Sequence, residues 1–235
     1  MRYRVLATDY DRTIALNGVV PEATREALRE VRASGRRLVL VTGRTLAELL
    51  DVFDDIALFH LLVIENGAVV RDPASGEDTA LGGPVPPALV DDLKRQGVEP
   101  LVLGSVICST ALPNQRPVAE AVRRLGLDLQ LSINRDSLMI LPPGVDKAAG
   151  LRVALDELGE TAAATVAVGD GENDLSLLTC AGVAVAVENA VDPLKAIADV
   201  VLEEPGMAGI RDLCASLVHG DLAGLLDAPQ ARRAG

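Results

Sequence analysis

The sequence predicts an α/β fold: a doubly wound, Rossmann-like parallel sheet carrying a small inserted α+β domain. Three observations predict it. Short runs of Leu, Val, Ile and Ala alternate with amphipathic stretches of helical length, the rhythm of right-handed βαβ units. Three of these runs end directly in polar clusters: Asp9-Tyr10-Asp11-Arg12-Thr13, Thr42-Gly43-Arg44, and Gly169-Asp170-Gly171-Glu172-Asn173-Asp174. The rhythm breaks between two Gly/Pro-rich stretches, Asp72 to Pro87 and Leu141-Pro142-Pro143-Gly144, and then resumes.

In chain order, Arg4 to Thr8 is a buried strand. Pro21 to Ser34 is a helix: Pro21 suits a first turn, Ala27, Leu28 and Val31 share one face, and Gly35 ends it. Arg37 to Val41 is a strand, and Thr45 to Phe53 a short helix that Thr45 can cap. Leu61 to Ile64 is a third strand, followed by Glu65-Asn66-Gly67-Ala68. Asp72 to Pro87 marks a boundary or a hairpin. The inserted segment has helical stretches at Pro87 to Gln96 and Pro117 to Leu125. Its strand-like regions are Leu101 to Thr110 and Leu127 to Leu141. Then follow a helix (Asp146 to Leu158), a strand (Thr165 to Val168), a helix (Glu172 to Cys180) and a strand (Val183 to Val187). A helix (Pro193 to Ala198), a short strand (Val200 to Leu202) and a closing helix (Met207 to Val218) complete the series. The implied organisation is a core of 1–82 and 144–220, an insertion of 83–143, and a flexible tail of 221–235.

The 235 residues are 49% hydrophobic and 24% charged, the composition of a globular protein with a sizeable core. Aromatic residues are only 2%, so stacking platforms for bases or sugars are nearly absent. A formal net charge of -12 argues against nucleic acid and membrane partners. It would also repel a phosphorylated ligand unless a local cation offset it. Cys108, Cys180 and Cys214 form no paired motif, which fits a reducing cytoplasm. No apolar run approaches the ~18 residues a membrane span requires.

In an open parallel sheet, ligands bind at the carboxyl ends of the strands, so the three clusters can meet in one pocket. Asp9 and Asp11 lie two apart in extended chain and point the same way. Two carboxylates this close ionise together only with a cation between them, unless one holds a proton. A metal ion, with Asp9 as nucleophile and Asp11 as acid/base, meets both demands; turn-forming aspartates with Thr13 as a helix cap are the plain alternative. Thr42 offers a hydroxyl and Gly43 a close backbone approach, although strands ending in Thr-Gly are common elsewhere. Asp170 at a strand tip and Asp174 one turn on supply oxygen ligands for a hard cation; ordinary acidic capping is the alternative, and for Glu172 it suffices. Lys147 is one of only three lysines in the chain. Its ammonium is a point charge suited to a phosphate oxygen, or else a solvated helix start. His60 and His219 lie far from every cluster and read as structural or exposed. The chain has no Walker loop, no dinucleotide fingerprint and no Ser on a nucleophile turn.

Taken in order, these clusters resemble the four motifs of the haloacid dehalogenase-like hydrolase superfamily, over about Arg4 to Leu217. Asp9, Asp11 and Thr13 match Asp-x-Asp-x-Thr; Thr42 matches the strand-end Thr or Ser; Lys147 matches the motif Lys; Gly169 to Asp174 match Gly-Asp-Gly-x-Asn-Asp. An insertion between the second and third motifs is similar to the Cof-type branch, where an α+β cap covers the site. Its length is similar to that in archaeal-type phosphoglycolate phosphatases and in sucrose- or mannosylphosphoglycerate-phosphate phosphatases. Arg12 departs from the pattern, standing where many relatives carry Gly.

The resemblance implies a Mg²⁺-dependent phosphatase acting on a small phosphorylated metabolite through an aspartyl-phosphate. Asp9 is then the nucleophile and Asp11 the acid/base. The resemblance places Mg²⁺ on Asp9, the Asp11 carbonyl, Asp170 and Asp174. The phosphoryl group falls to Thr42, Gly43, Arg44, Lys147 and Asn173. In the cap, Ser109, Asn114, Arg116 and Arg135 are candidates for substrate choice, each a surface residue otherwise. A phosphomutase with the same nucleophile, and a non-catalytic module binding a phosphorylated ligand, stay open. The chain is expected to act as a monomer or homodimer.

Overall fold

The computed structural model describes residues 1–204 and 207–227. Among the described residues the strands are β1 (Val5–Thr8), β2 (Arg37–Val41), β3 (Leu61–Ile64), β4 (Val69–Arg71), β5 (Asp78–Ala80), β6 (Val102–Leu103), β7 (Cys108–Ala111), β8 (Gln130–Asn134), β9 (Ser137–Leu141), β10 (Thr165–Gly169), β11 (Val183–Ala186) and β12 (Val200–Val201). The helices are α1 (Glu22–Ala33), α2 (Leu46–Leu50), α3 (Pro87–Arg95), α4 (Gln115–Arg124), α5 (Lys147–Leu158), α6 (Leu175–Cys180), α7 (Asp192–Ile197), α8 (Met207–Gly220) and α9 (Ala223–Leu226).

One sheet has eight strands in the order β12-β11-β10-β1-β2-β3-β4-β5. Its six strands from β12 to β3 are parallel, and the β4–β5 hairpin adds an antiparallel edge. β1, β3, β10 and β11 are buried throughout, as a sheet covered on both faces demands, and this is why they read as unbroken apolar runs. Helices α1 and α8 pack together, while α5, α6 and α7 form another contiguous layer. The strand order reverses beside β1: β2 and β3 extend one side, and β10 to β12, from the chain's return, extend the other.

The second sheet is antiparallel, in the order β6-β7-β9-β8. Its helices α3 and α4 bury Leu89, Leu93, Val118 and Ala121 against Leu138 and Ile140 of β9. The alternate residues of β9, Met139 and Leu141, join the core of the large sheet instead. The period of two along this strand thus splits its side chains between the two cores.

The departures from sequence expectation are local. The region 101–110 is cut by a loop into β6 and β7, and 127–141 by a turn at Arg135-Asp136 into β8 and β9. The stretch 172–180 begins as a 3-10 turn over Glu172–Asp174. α2 is shorter than expected, but Thr45 caps it as anticipated, accepting from the Glu48 amide while the Glu48 carboxylate accepts from the Thr45 amide. The proposed tail starts with structure. Asp221 accepts from the amides of Arg2 and Tyr3, Leu222 is buried, and α9 follows; residues 228–235 lie outside the described residues.

Candidate active site

Sheet register assembles the site. Thr8 aligns with Val168 on one side and Leu40 on the other. Asp9 therefore stands level with Gly169 and Val41, with Asp170 and Thr42 one residue beyond. Three segments distant in sequence meet at the carboxyl edge beside the reversal of strand order, where α/β sheets bind ligands.

Asp9, Asp170 and Asp174 each place a carboxylate oxygen within 4.8 Å of the others, and all three are buried. Lys147 answers two of them. Its Nζ donates to Asp9 Oδ1 and to Asp174 Oδ1, both at 2.6 Å, and the residue is 1% exposed. Lys147 opens α5, which Asp146 caps by accepting from the Ala149 amide. The loop before it presses on Gly67, where a Cβ would lie 1.9 Å from the Asp146 carbonyl oxygen, so only glycine fits. The other oxygen of Asp174 accepts from the amides of Asp170 (3.0 Å) and Gly171 (2.9 Å). Asp174 thus shapes the loop that presents Asp170.

The electrostatics follow from burial. Desolvation, then the charge of Asp174, push Asp9 up to about 8, with Lys147 pulling the other way. Desolvation tends to lower Lys147, but Asp174 and Asp9 outweigh it and hold the ammonium above its ordinary value. Burial also raises Asp170, against the pull of Arg135. Asp9 is pushed up even though Lys147 touches it, and the hard oxygen donors of the three clustered carboxylates fit a divalent cation such as Mg²⁺.

Asp11 points elsewhere. Both its oxygens accept from Arg44, from Nε at 2.7 Å and Nη2 at 2.8 Å, a bidentate fork. Arg44 is therefore committed to Asp11 through its guanidinium, and its amide donates to Thr42 Oγ1 at 3.2 Å. Among the described residues, the carboxylate group that could hold a cation comprises Asp9, Asp170 and Asp174, without the Asp11 side chain. Asn173 donates from Nδ2 to Asn66 Oδ1 at 2.9 Å, tying the Gly169 to Asp174 cluster to the segment after β3.

A cavity of about 290 Å³ opens above this edge, lined by Asp9, Asp11, Arg12, Thr42, Gly43, Arg44, Glu48 and Asp170 from below. Ser109, Asn134, Arg135, Ser137 and Met139 line it from the antiparallel sheet. Of the polar candidates named from that segment, Ser109 and Arg135 reach the cavity. Asn114 instead bonds the Glu99 carbonyl and Thr110 hydroxyl, and Arg116 pairs with Glu120 at the surface. Sequence reasoning missed Glu48, Asn134, Ser137 and Met139. The period of two in β9 could have found Ser137 and Met139 together.

It also missed Glu65. This carboxylate is 1% exposed, yet it accepts from the amides of Ser105 (2.7 Å), Val106 (2.9 Å) and Ile107 (3.0 Å) in the loop between β6 and β7. Glu65, Asn66 and Gly67 all have positive φ, and a Cβ on Gly104 would lie 2.4 Å from the Glu65 carboxyl. The segment after β3 thus grips the second sheet with one residue and the Asp170 loop with the next. The signal available in sequence was an acidic residue directly following a buried strand.

Comparison with known proteins agrees with this geometry. Residues 6–94 and 123–212 match the haloacid dehalogenase-like hydrolase family. The chain is 26% identical over 230 residues to phosphoglycolate phosphatase 2 of Saccharolobus solfataricus, covering 95% of this chain and 96% of that one. It is 30% identical over 195 residues to the phosphoglycolate phosphatase of Archaeoglobus fulgidus, covering 79% and 83%. In fold it is similar to a haloacid dehalogenase-like hydrolase from Bacteroides thetaiotaomicron, with a TM-score of 0.79 at 22% identity over 92% of this chain and 99% of that one. Four motifs in order, gathered at one sheet edge, and a family match over most of its length place this chain in the haloacid dehalogenase-like hydrolase family.

Proposed function

We propose that this chain is a Mg²⁺-dependent phosphatase that hydrolyses a small phosphorylated metabolite, phosphoglycolate-like or a sugar phosphate. The observation that carries the reading is the buried cluster of Asp9, Asp170 and Asp174 bridged by Lys147 at the floor of the cavity. Curated relatives named phosphoglycolate phosphatases support the substrate class. The 83–143 segment serves as the cap over that floor, and the protein works in the cytoplasm.

In this reading Asp9 attacks phosphorus, forming an aspartyl-phosphate as the ester P–O bond breaks. The leaving alkoxide takes a proton from Asp11, whose carboxyl must first leave the Arg44 fork, take up that proton and turn toward the cavity. Asp11, then ionised, takes a proton from water, whose oxygen attacks phosphorus and releases inorganic phosphate and Asp9. Asp9 and Asp170 are the residues that would hold the metal, with the Asp11 carbonyl and Asp174 beside them; the ion would offset repulsion between carboxylate and phosphoryl oxygens. Thr42, Gly43 and the backbone of Arg44 form the wall against which the phosphoryl oxygens rest, the Arg44 guanidinium being held by Asp11, with Lys147 beneath and Asn173 bracing the loop. Phosphate monoesters hydrolyse extremely slowly unaided, so preorganised charge is the main requirement.

The test is a panel of phosphorylated metabolites assayed for inorganic phosphate with Mg²⁺ and again with excess chelator. Release that stops on chelation is expected. Activity persisting in chelator overturns the metal assignment, and return of label to the substrate identifies a mutase. No turnover of any ester points to a binding module.

A further inference from the structure

Two arginines at the rim of the cavity occupy backbone conformations that arginine rarely adopts. Arg12 has φ 63° and Arg135 φ 52°, the left-handed region where a Cβ crowds the following carbonyl. Arg12 lies in the loop after Asp9, and Arg135 in the turn joining β8 to β9. They come from different sheets and reach the same atom: Arg135 Nη2 is 2.5 Å and Arg12 Nε 3.4 Å from Asp170 Oδ2. Both line the cavity. Their loops are held by other bonds, from Asn189 Nδ2 to the Arg12 carbonyl (3.1 Å) and from the Arg135 amide to Glu172 Oε2 (3.3 Å). Strained backbone at two converging side chains, next to a reactive centre, is an outlier that points to function.

Resting on the phosphatase reading above, we propose that Arg12 and Arg135 form a split receptor for a second anionic group, a carboxylate, on the leaving-group side of the ester. The site then selects small phosphorylated acids over neutral phosphate esters. The other cations of the site are committed: Arg44 to both oxygens of Asp11, and Lys147 to Asp9 and Asp174 in the buried floor. Arg12 and Arg135 each meet Asp170 through one nitrogen, so the remaining N–H groups of each planar fork are available to a carboxylate. Asp170 ties the two forks together across the gap between the sheets. At about 290 Å³ the cavity lies at the lower edge of ligand-pocket volumes, roughly 300–1,000 Å³. Among the described residues no aromatic side chain lines it, so a sugar or base finds no stacking surface and a short charged leaving group fits best.

The experiment compares a size-matched acid and alcohol, 2-phosphoglycolate and 2-hydroxyethyl phosphate. Binding is measured by calorimetry on Asp9→Asn protein, where the ester persists, and kcat/KM on protein with Asp9 intact. The acid should bind and react about tenfold or more better than the alcohol, corresponding to ~1.4 kcal/mol. Arg135→Gln and Arg12→Gly should each reduce that ratio several-fold. Arg12→Gly should at the same time raise the melting temperature, because glycine relieves the positive φ and the 3.4 Å pair it removes is half-exposed. A ratio unchanged in both variants overturns the receptor. Equal losses for acid and alcohol also overturn it, leaving the arginines as cap-closing contacts. A wild-type preference for the alcohol, with ester hydrolysis otherwise intact, removes the receptor and spares the phosphatase reading. Failure to turn over any phosphate ester removes both.

Discussion

The carboxyl edge of the eight-stranded sheet and the facing side of the four-stranded sheet enclose the same cavity but hold their side chains differently. On the large sheet, Asp174 is 0% and Lys147 1% exposed, and each charged atom has a fixed partner. On the small sheet, β8 is half-exposed along most of its length, and Ser109, Asn134, Arg135 and Ser137 sit at intermediate burial. The buried floor of the first region binds Lys147 and Asp174 so tightly that either is costly to remove. The second offers polar groups that water also reaches, so exchanging them should cost the fold little. In the proposed reading, chemistry and selectivity thus fall to surfaces with different tolerance for change.

The sharpest test of that contrast is Asp9→Asn. It should lower turnover by on the order of 10⁴-fold or more, as removal of a covalent nucleophile does, without loss of the fold, because Lys147 keeps Asp174 as a partner. Single-turnover phosphate release measures it, and near wild-type release would remove Asp9 as nucleophile.

Lys147→Met tests the same floor through stability. It leaves Asp9 and Asp174 buried without their cation, and breaking such a set by removing one partner costs roughly 3–5 kcal/mol. Adding Asp9→Asn to that variant should recover part of the loss. Urea unfolding of the single and double variants reads both numbers, and a single variant as stable as wild type would show that the floor is not held by charge.

The contrast also explains what was legible in the sequence. Asp9, Thr42 and Asp170 could be placed because each follows a buried strand, and parallel register brings such strand ends level. Lys147 was legible as a rare residue type where the chain re-enters the core. The separation of Asp11 from the carboxylate cluster was not, because alternation puts two side chains on one side without revealing that Arg44 takes one of them. The small sheet was hardest to read. Its cavity wall depends on where one two-residue turn falls, and the run from Leu127 to Leu141 gives no Gly or Pro to mark it. Arg135 occupies that turn with a φ that sequence propensity assigns to Gly or Asn.

Glu65 joins the two regions and sharpens the comparison from between them. Glu65→Ala strands three amides that are otherwise bonded and should cost about 2–4 kcal/mol. Glu65→Gln keeps an acceptor and should lose less. Hydrogen exchange should accelerate at 105–107 in both variants, while the amides of β1 and β10 keep their protection. Uniform acceleration across both sheets would show that the two cores unfold as one, and that the difference in their side-chain burial does not extend to their stability.

The smallest effect concerns the far end of the large sheet, where Asp221 accepts from the amides of Arg2 and Tyr3 and from Arg36 Nη2 at 3.1 Å. Burial acts to raise this carboxyl, but the two amides and the guanidinium outweigh it and hold it below its usual value. A carboxyl lowered on folding contributes stability above its unfolded pKa, about 3.9, and loses that contribution as pH falls through the folded value. Its side chain is 30% exposed, so the contribution is screened and should be about 0.5–1 kcal/mol. Asp221→Asn should therefore melt below wild type at pH 7, and the gap should narrow below pH ~4. A gap that holds at low pH would mean that the packing of Leu222 behind it, and not the charge, ties this segment to the core.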